Sequence, residues 1–224
     1  IFSASEVRLF SGTNDVSSVD SIFWLQNGFI GAFEQNIDYL LLSAGKTYDF
    51  RVGDTQNIGR LEANGDCDNG LVYIRAANPS LLTTFNFATD QTVTNVFLQD
   101  VAAIGAGVAT ANNSFDGGNN PGWNITATTG RELFWVGDTG NWDDRTHWSL
   151  SSGGPGGECI PTPLDDVVFD ANSFSTANAF VLNIGLNDAY CANMSWQAGV
   201  SGTPTLDLTF LNIFGSLDIR APMM

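Results

Sequence analysis

Apolar residues in this chain recur at a spacing of two, or in short unbroken runs, and almost nowhere at the three-to-four-residue spacing of a helix. The runs fall at residues 7–10, 21–25, 39–42, 47–52, 59–63, 71–75, 84–88 and 93–99, then at 133–136, 166–169, 180–184, 194–196, 206–211 and 216–219. They are rich in β-branched and aromatic residues and are separated by Gly, Asn, Asp and Ser, so the chain is predicted to be all-β. Runs recurring every ~10 to 25 residues suit either a β-sandwich or a coil of stacked strands. Corners such as Asn64-Gly65-Asp66 and Asn69-Gly70 stand where an antiparallel meander would carry two-residue hairpin turns. The runs 206–211 and 216–219 read as short rungs with alternate residues inward. A right-handed parallel β-helix or β-solenoid-like repeat is therefore the expected fold, and tandem Ig-like β-sandwiches are the alternative.

The densest cluster of turn formers, residues 112–123, reads as a loop and leads into a boundary at 124–131. Beyond it the texture changes, because Trp135, Trp142, Trp148 and Trp196 all lie in the second half. Residues 1–126 are accordingly read as the C-terminal part of one β-rich module and residues 127–224 as the N-terminal part of the next.

Charge narrows the partners. There are 24 acidic residues against 8 basic ones, with Lys46 the one lysine, for a formal net charge of −16. Such a field repels phosphate backbones and anionic lipid, which argues against nucleic-acid and membrane-surface binding. Charged residues make up only 14% and hydrophobic ones 43%, so the chain is not a disordered acidic tail. No run approaches the roughly 18 apolar residues of a membrane helix. The sequence opens on Ile1 without a basic stretch leading into an apolar run, and a mature segment of a longer secreted protein is expected.

Three cysteines, none in a CxxC pattern or beside a histidine, point to a bridge in an oxidising compartment rather than to zinc or redox chemistry. Cys159 and Cys191 are the expected pair because both fall in the second module, which leaves Cys67 spare.

Asp138, Asn141, Asp143, Asp144, Asp165 and Asp166, with Asp170 nearby, supply the oxygens a structural calcium ion would need. Their spacing matches neither the EF-hand loop nor the nonapeptide calcium repeat, and Asp is also a common turn residue. Trp135, Trp142 and Trp148 are large enough to close the end of a core. The alternative is that Trp142 and Trp148 expose faces on which sugar rings stack.

Catalysis finds little support. His147 is the one histidine, Ser149 lies in no nucleophile motif, and the glycines at 153–157 lack a P-loop ending. Asp165 and Asp166, adjacent on a strand, point to opposite faces and make a poor carboxylate dyad.

Several segments together resemble a known repeat. The run Leu133-Phe134-Trp135-Val136-Gly137-Asp138-Thr139-Gly140-Asn141-Trp142-Asp143-Asp144 leads to His147-Trp148-Ser149 and a glycine-rich stretch. Ile160-Pro161-Thr162-Pro163 and Asp165-Asp166-Val167-Val168-Phe169-Asp170 follow, and then Leu211-Asn212-Ile213-Phe214-Gly215-Ser216-Leu217. This pattern resembles repeat units of very large surface proteins from gliding Bacteroidetes, the family of the gliding-motility adhesin SprB, which the type IX secretion system exports. The likeness covers about four-fifths of the chain and is weakest over residues 1–35. It implies a non-enzymatic segment displayed on the cell surface, outside the outer membrane, that attaches to substrata and carries no cofactor. Its partners would be other repeats of the same chain and surface glycans or the substratum. A carbohydrate-binding module, or a segment of a β-helical polysaccharide lyase or hydrolase, is the competing expectation.

Overall fold

The computed structural model describes residues 17–31, 34–182, 188–208 and 210–220. The expected strand at 7–10, and positions 183, 184 and 209 of two further runs, lie outside the described residues. The chain divides into two compact units, one of residues 1–66 and 71–128, the other of 67–70 and 129–224. It is all-β, with mostly parallel sheets.

The first unit contains thirteen strands among its described residues: β1 Ser17–Trp24, β2 Gly28–Ile30, β3 Gln35–Leu42, β4 Thr47–Phe50, β5 Thr55–Ala63, β6 Val72–Ala76, β7 Thr83–Phe87, β8 Gln91–Thr94, β9 Val96–Gln99, β10 Val101–Gly105, β11 Ala109–Asn112, β12 Phe115–Asp116 and β13 Trp123–Ile125. Neighbours in sequence are not neighbours in a sheet. One sheet runs β1-β3-β5-β7-β10, a second β2-β4-β6-β9-β12, and a third β8-β11-β13, with every pairing parallel. Parallel pairing explains why hairpin signals are scarce in the sequence.

β1, β3 and β5 each turn a corner inside the strand. Their ladders skip Asp20, Asp38 and Gly59, and the burial alternation of β3 and β5 changes phase there. Gly59 is needed at this corner, since a Cβ would lie 2.7 Å from the Asp38 carbonyl oxygen. In the following turns the same corner becomes a full break, between β7 and β8 and between β10 and β11.

Inward residues stack in register from strand to strand. Ile22, Leu40 and Leu61 form one column, and Trp24, Leu42 and Ala63 a second in which side-chain volume falls from rung to rung. Phe50 meets Phe85 edge-on at 4.8 Å between centroids, and Phe87 meets Trp123 at 5.8 Å. Outside, Asn36, Asn57 and Asn86 form an amide ladder with bonds of 3.0 and 2.8 Å. The expected loop at 112–123 is corrected: it holds β12 and ends on buried Trp123, with its corners made by Asn113 at φ 49° and Asn119 at φ 59°. Asn tolerates the left-handed region better than most side chains, so an Asn-rich run here marks corners between strands.

The second unit begins with β14 Glu132–Trp135, β15 Gly140–Asn141, a short 3₁₀ turn at Arg145–His147, and β16 Trp148–Ser149. β17 Asp166–Phe169, β18 Phe180–Leu182, β19 Ala189–Cys191, β20 Met194–Trp196, β21 Thr205–Asp207, β22 Leu211–Ile213 and β23 Leu217–Ile219 follow. Its sheets run β16-β14-β17-β20-β23, β15-β18-β21 and β19-β22. Only β16 on β14 is antiparallel among the described residues, so β16 folds back and occupies the outer edge of the first strand. Val168, Ser195 and Asp218 align on one face, Val181 with Leu206 on the next, and Tyr190 with Asn212 on the third. The core is aromatic: Phe169 stacks on Trp196 at 4.1 Å, and Phe174 lies parallel to Phe169 at 5.9 Å.

Candidate functional site

The tryptophans of the second-half motif face inward. Trp135, Trp142 and Trp148 are 0%, 1% and 0% exposed. The Trp135 indole donates to the Asp138 carbonyl at 2.8 Å, and that of Trp148 to the Trp142 carbonyl at 2.8 Å. Trp148 meets the edges of both partners, at 5.1 and 4.9 Å. Trp142 and Trp148 are therefore core residues and not sugar-stacking platforms, a correction that follows from inward positions beside the fold-back strand. Burying three indoles of roughly 150–250 Å² each closes this end of the core.

His147 lies flat against Trp135, 4.6 Å between centroids and 9° between planes. Its Nδ1 sits 2.7 Å from the Val136 carbonyl oxygen, an acceptor only, so Nδ1 carries the proton. A Cβ on Gly140 would strike the imidazole at Nε2, which makes that glycine a steric requirement of the motif.

The acidic residues disperse. Asp138, at φ 64°, accepts from Ser175 and Thr176, and the Ser175 hydroxyl and its fellow donors hold its carboxyl down to about 2. Asp144 caps the 3₁₀ turn, accepting from the Thr146 amide at 2.9 Å and hydroxyl at 2.7 Å, which lowers its pKa. Asp166 accepts from Asn193 at 2.6 Å, and Asp170 from the Asn172 amide at 2.8 Å. Asn141 lies in β15, its carbonyl accepting from the Asp144 amide at 3.0 Å, and Asp143 lies in the turn after it. No three His, Cys, Asp or Glu side chains gather into a cation cage among the described residues, so the expected calcium set does not converge.

Asp165 is the structural hub. It is 2% exposed, takes Arg131 at 2.9 and 2.7 Å, and accepts from the Thr162 amide and hydroxyl at 2.8 Å each. Burial works against its charge, but the Arg131 bonds and charge outweigh that and hold its carboxyl below the ordinary range. Arg131 also donates to the Cys159 and Ile160 carbonyls at 3.2 and 3.1 Å.

The disulfide joins Cys67 to Cys159, with Cα atoms 4.6 Å apart, and not Cys159 to Cys191. Cys67–Gly70 belongs to the second unit, where Asp68 pairs with Arg145 and Ile160 crowds Gly70. Cys191 instead points into the core from β19, and burial pushes its thiol up to about 12.

Two open surfaces stand out among the described residues. In the second unit, the outer edges of β21, β22 and β23 are unpaired among the described residues, and Phe210, Phe214, Leu217 and Ile219 are exposed there. In the first, a depression of about 620 Å³ lies over β5 and β8, lined by Arg60, Glu62, Asn64, Asp90 and Thr92 above Leu61 and Gln91. No protein-family model, curated protein or solved structure matches this chain.

Proposed function

We propose that this chain is a structural segment of a large extracellular adhesin, displayed on a cell surface and attached to substrata without catalysis. Each unit is a right-handed β-solenoid stack in this reading, the hand that strand-to-parallel-strand crossovers overwhelmingly take. One observation carries it. β16 blocks one edge of the second unit's main sheet, whereas β23 leaves the other edge unpaired among the described residues, with its own Leu217 and Ile219 53% and 49% exposed. A bare strand edge with apolar neighbours is a template for another strand, and a further repeat of the same chain is the partner that fits it.

The polar groups support a scaffold over an enzyme. Asp165 is spent on Arg131 and Thr162, His147 on the Val136 carbonyl, and Asp144 on a cap. Secretion by the type IX route and a role in gliding motility rest on the sequence resemblance, and a single disulfide is compatible with an oxidising exterior.

Attachment tests the reading directly. Beads coated with the purified chain should stay on glass and on polysaccharide films under shear that removes albumin-coated beads. Equal loss of both kinds of bead would overturn it.

A further inference from the structure

β5 and its successor strands do not match in length. Asn57 pairs with Asn86 and Asn64 with Thr94, so residues 58–63 lie opposite residues 87–93 and the second strand carries one residue more. That extra residue is a bulge in a parallel stack, and it pushes Thr89 and Asp90 outward. The rungs on either side keep constant register, from β3 to β5 and from β8 to β11.

The bulge is built rather than loose. Gly105 and Gly107, one rung on, leave no room for a Cβ against the Phe87 and Thr89 carbonyls and so hold the segment from the far side. The Val108 amide donates to Asp90 at 2.9 Å. Gln91, 5% exposed, seals the floor: its Oε1 accepts from the Leu61 amide at 2.8 Å, and its Nε2 donates to the Gly59 and Thr89 carbonyls at 3.1 Å each. Strand backbone at the floor is thus already bonded, and the depression presents side chains.

On its lip, Arg60 lies 5.1 Å over the Tyr39 ring and bonds Glu62 at 2.9 Å, while the Tyr39 hydroxyl donates to the same carboxylate at 2.8 Å. Phe23 buttresses Tyr39 edge-on at 5.5 Å. These contacts favour one orientation of a guanidinium whose side chain is 70% exposed, which lowers part of the ordering cost of binding.

We propose that this bulge depression is a binding site for a neutral saccharide. Arg60 and Asn64 donate, Glu62 and Asp90 accept, and Thr92 does both, so closely spaced donors and acceptors face a ligand whose vicinal hydroxyls also do both. Glu62 neutralises Arg60, Asp90 adds negative charge, and the whole chain carries −16, so acidic sugars are repelled. The site names a ligand class for the adhesive reading and takes its biological sense from it, but binding by the purified chain is measurable whether or not coated beads attach.

The test is a panel of neutral, uronic and sulfated oligosaccharides titrated into the purified chain, followed by amide chemical shifts and calorimetry. A neutral oligosaccharide should bind and move the amides of Arg60, Glu62 and Thr92. Arg60→Ala and Thr92→Arg should each weaken it roughly tenfold or more with unchanged melting midpoints, as expected for loss of a charged hydrogen bond and for occlusion. No neutral ligand, a preference for acidic sugars, shifts confined elsewhere, or full binding by both variants would each overturn the proposal. The shift map on the unaltered protein decides the matter even if a variant misfolds.

Discussion

Trp135 and His147 lie face to face, and the same imidazole donates to the Val136 carbonyl at the strand's end. One ring thus both covers the indole and ties the 3₁₀ turn to β14. His147→Ala removes the stack and the hydrogen bond together. A loss of about 1 to 2 kcal/mol is expected, or roughly 5 to 15 °C in the melting midpoint of a unit this size, read by thermal unfolding.

Cys67 and Cys159 are 92 residues apart in sequence, so their bridge restricts a long loop in the unfolded chain. Cys67→Ser with Cys159→Ser should cost about 4.6 kcal/mol on the chain-entropy account, seen as a lower urea midpoint. Cys191 should stay silent to a thiol reagent in the folded protein and react on unfolding, because burial holds it in the thiol form. Fast labelling of the folded chain would contradict the structure.

Acid should unfold the second unit through its carboxylates. Asp165 and Asp138 have folded pKa values below the unfolded one, Asp138 down to about 2 from 3.8. Their contribution is present above the unfolded value and is lost as pH falls through the folded one, so stability should decline between about pH 4 and pH 2. Asp165→Asn should flatten that decline. It also leaves Arg131 without its anion, at a cost of about 3 kcal/mol at neutral pH, and melting curves across pH check both effects.

Gly107 sits where any Cβ would meet the Thr89 carbonyl, a backbone atom that cannot swing aside. Gly107→Ala should destabilise the first unit by about 1 to 3 kcal/mol, whereas Val108→Ala, at a half-exposed neighbour, should stay within about 0.5 kcal/mol. Paired denaturant titrations separate the two.

Strand content was legible because burial alternation is written into runs such as 39–42 and 47–50, where inward residues are apolar. The corner inside β3 was not, since the phase change at Asp38 breaks the period-two pattern without any turn signal. A plain marker of the stacking was available and missed: Gln35-Asn36-Ile37 and Gln56-Asn57-Ile58 are the same tripeptide, and the fold sets them in register. Cysteine pairing was illegible because Cys67 joins residues far along the chain, a tertiary fact that spacing does not encode. Tryptophan content suggested both a core and a platform, and only the burial of Trp142 and Trp148 separates the two. The depression arises from a one-residue mismatch between β5 and its successors, which becomes visible only once the strands are aligned.

The fold-back of β16 gives the second unit a beginning. With β14 covered on that flank, each later strand of the sheet is laid on one that precedes it in sequence, β17 on β14, β20 on β17 and β23 on β20. A polypeptide made N-terminus first therefore finds each of these partner strands already made. Assembly can then keep pace with synthesis, and none of these three parallel ladders has to wait for a strand still to come.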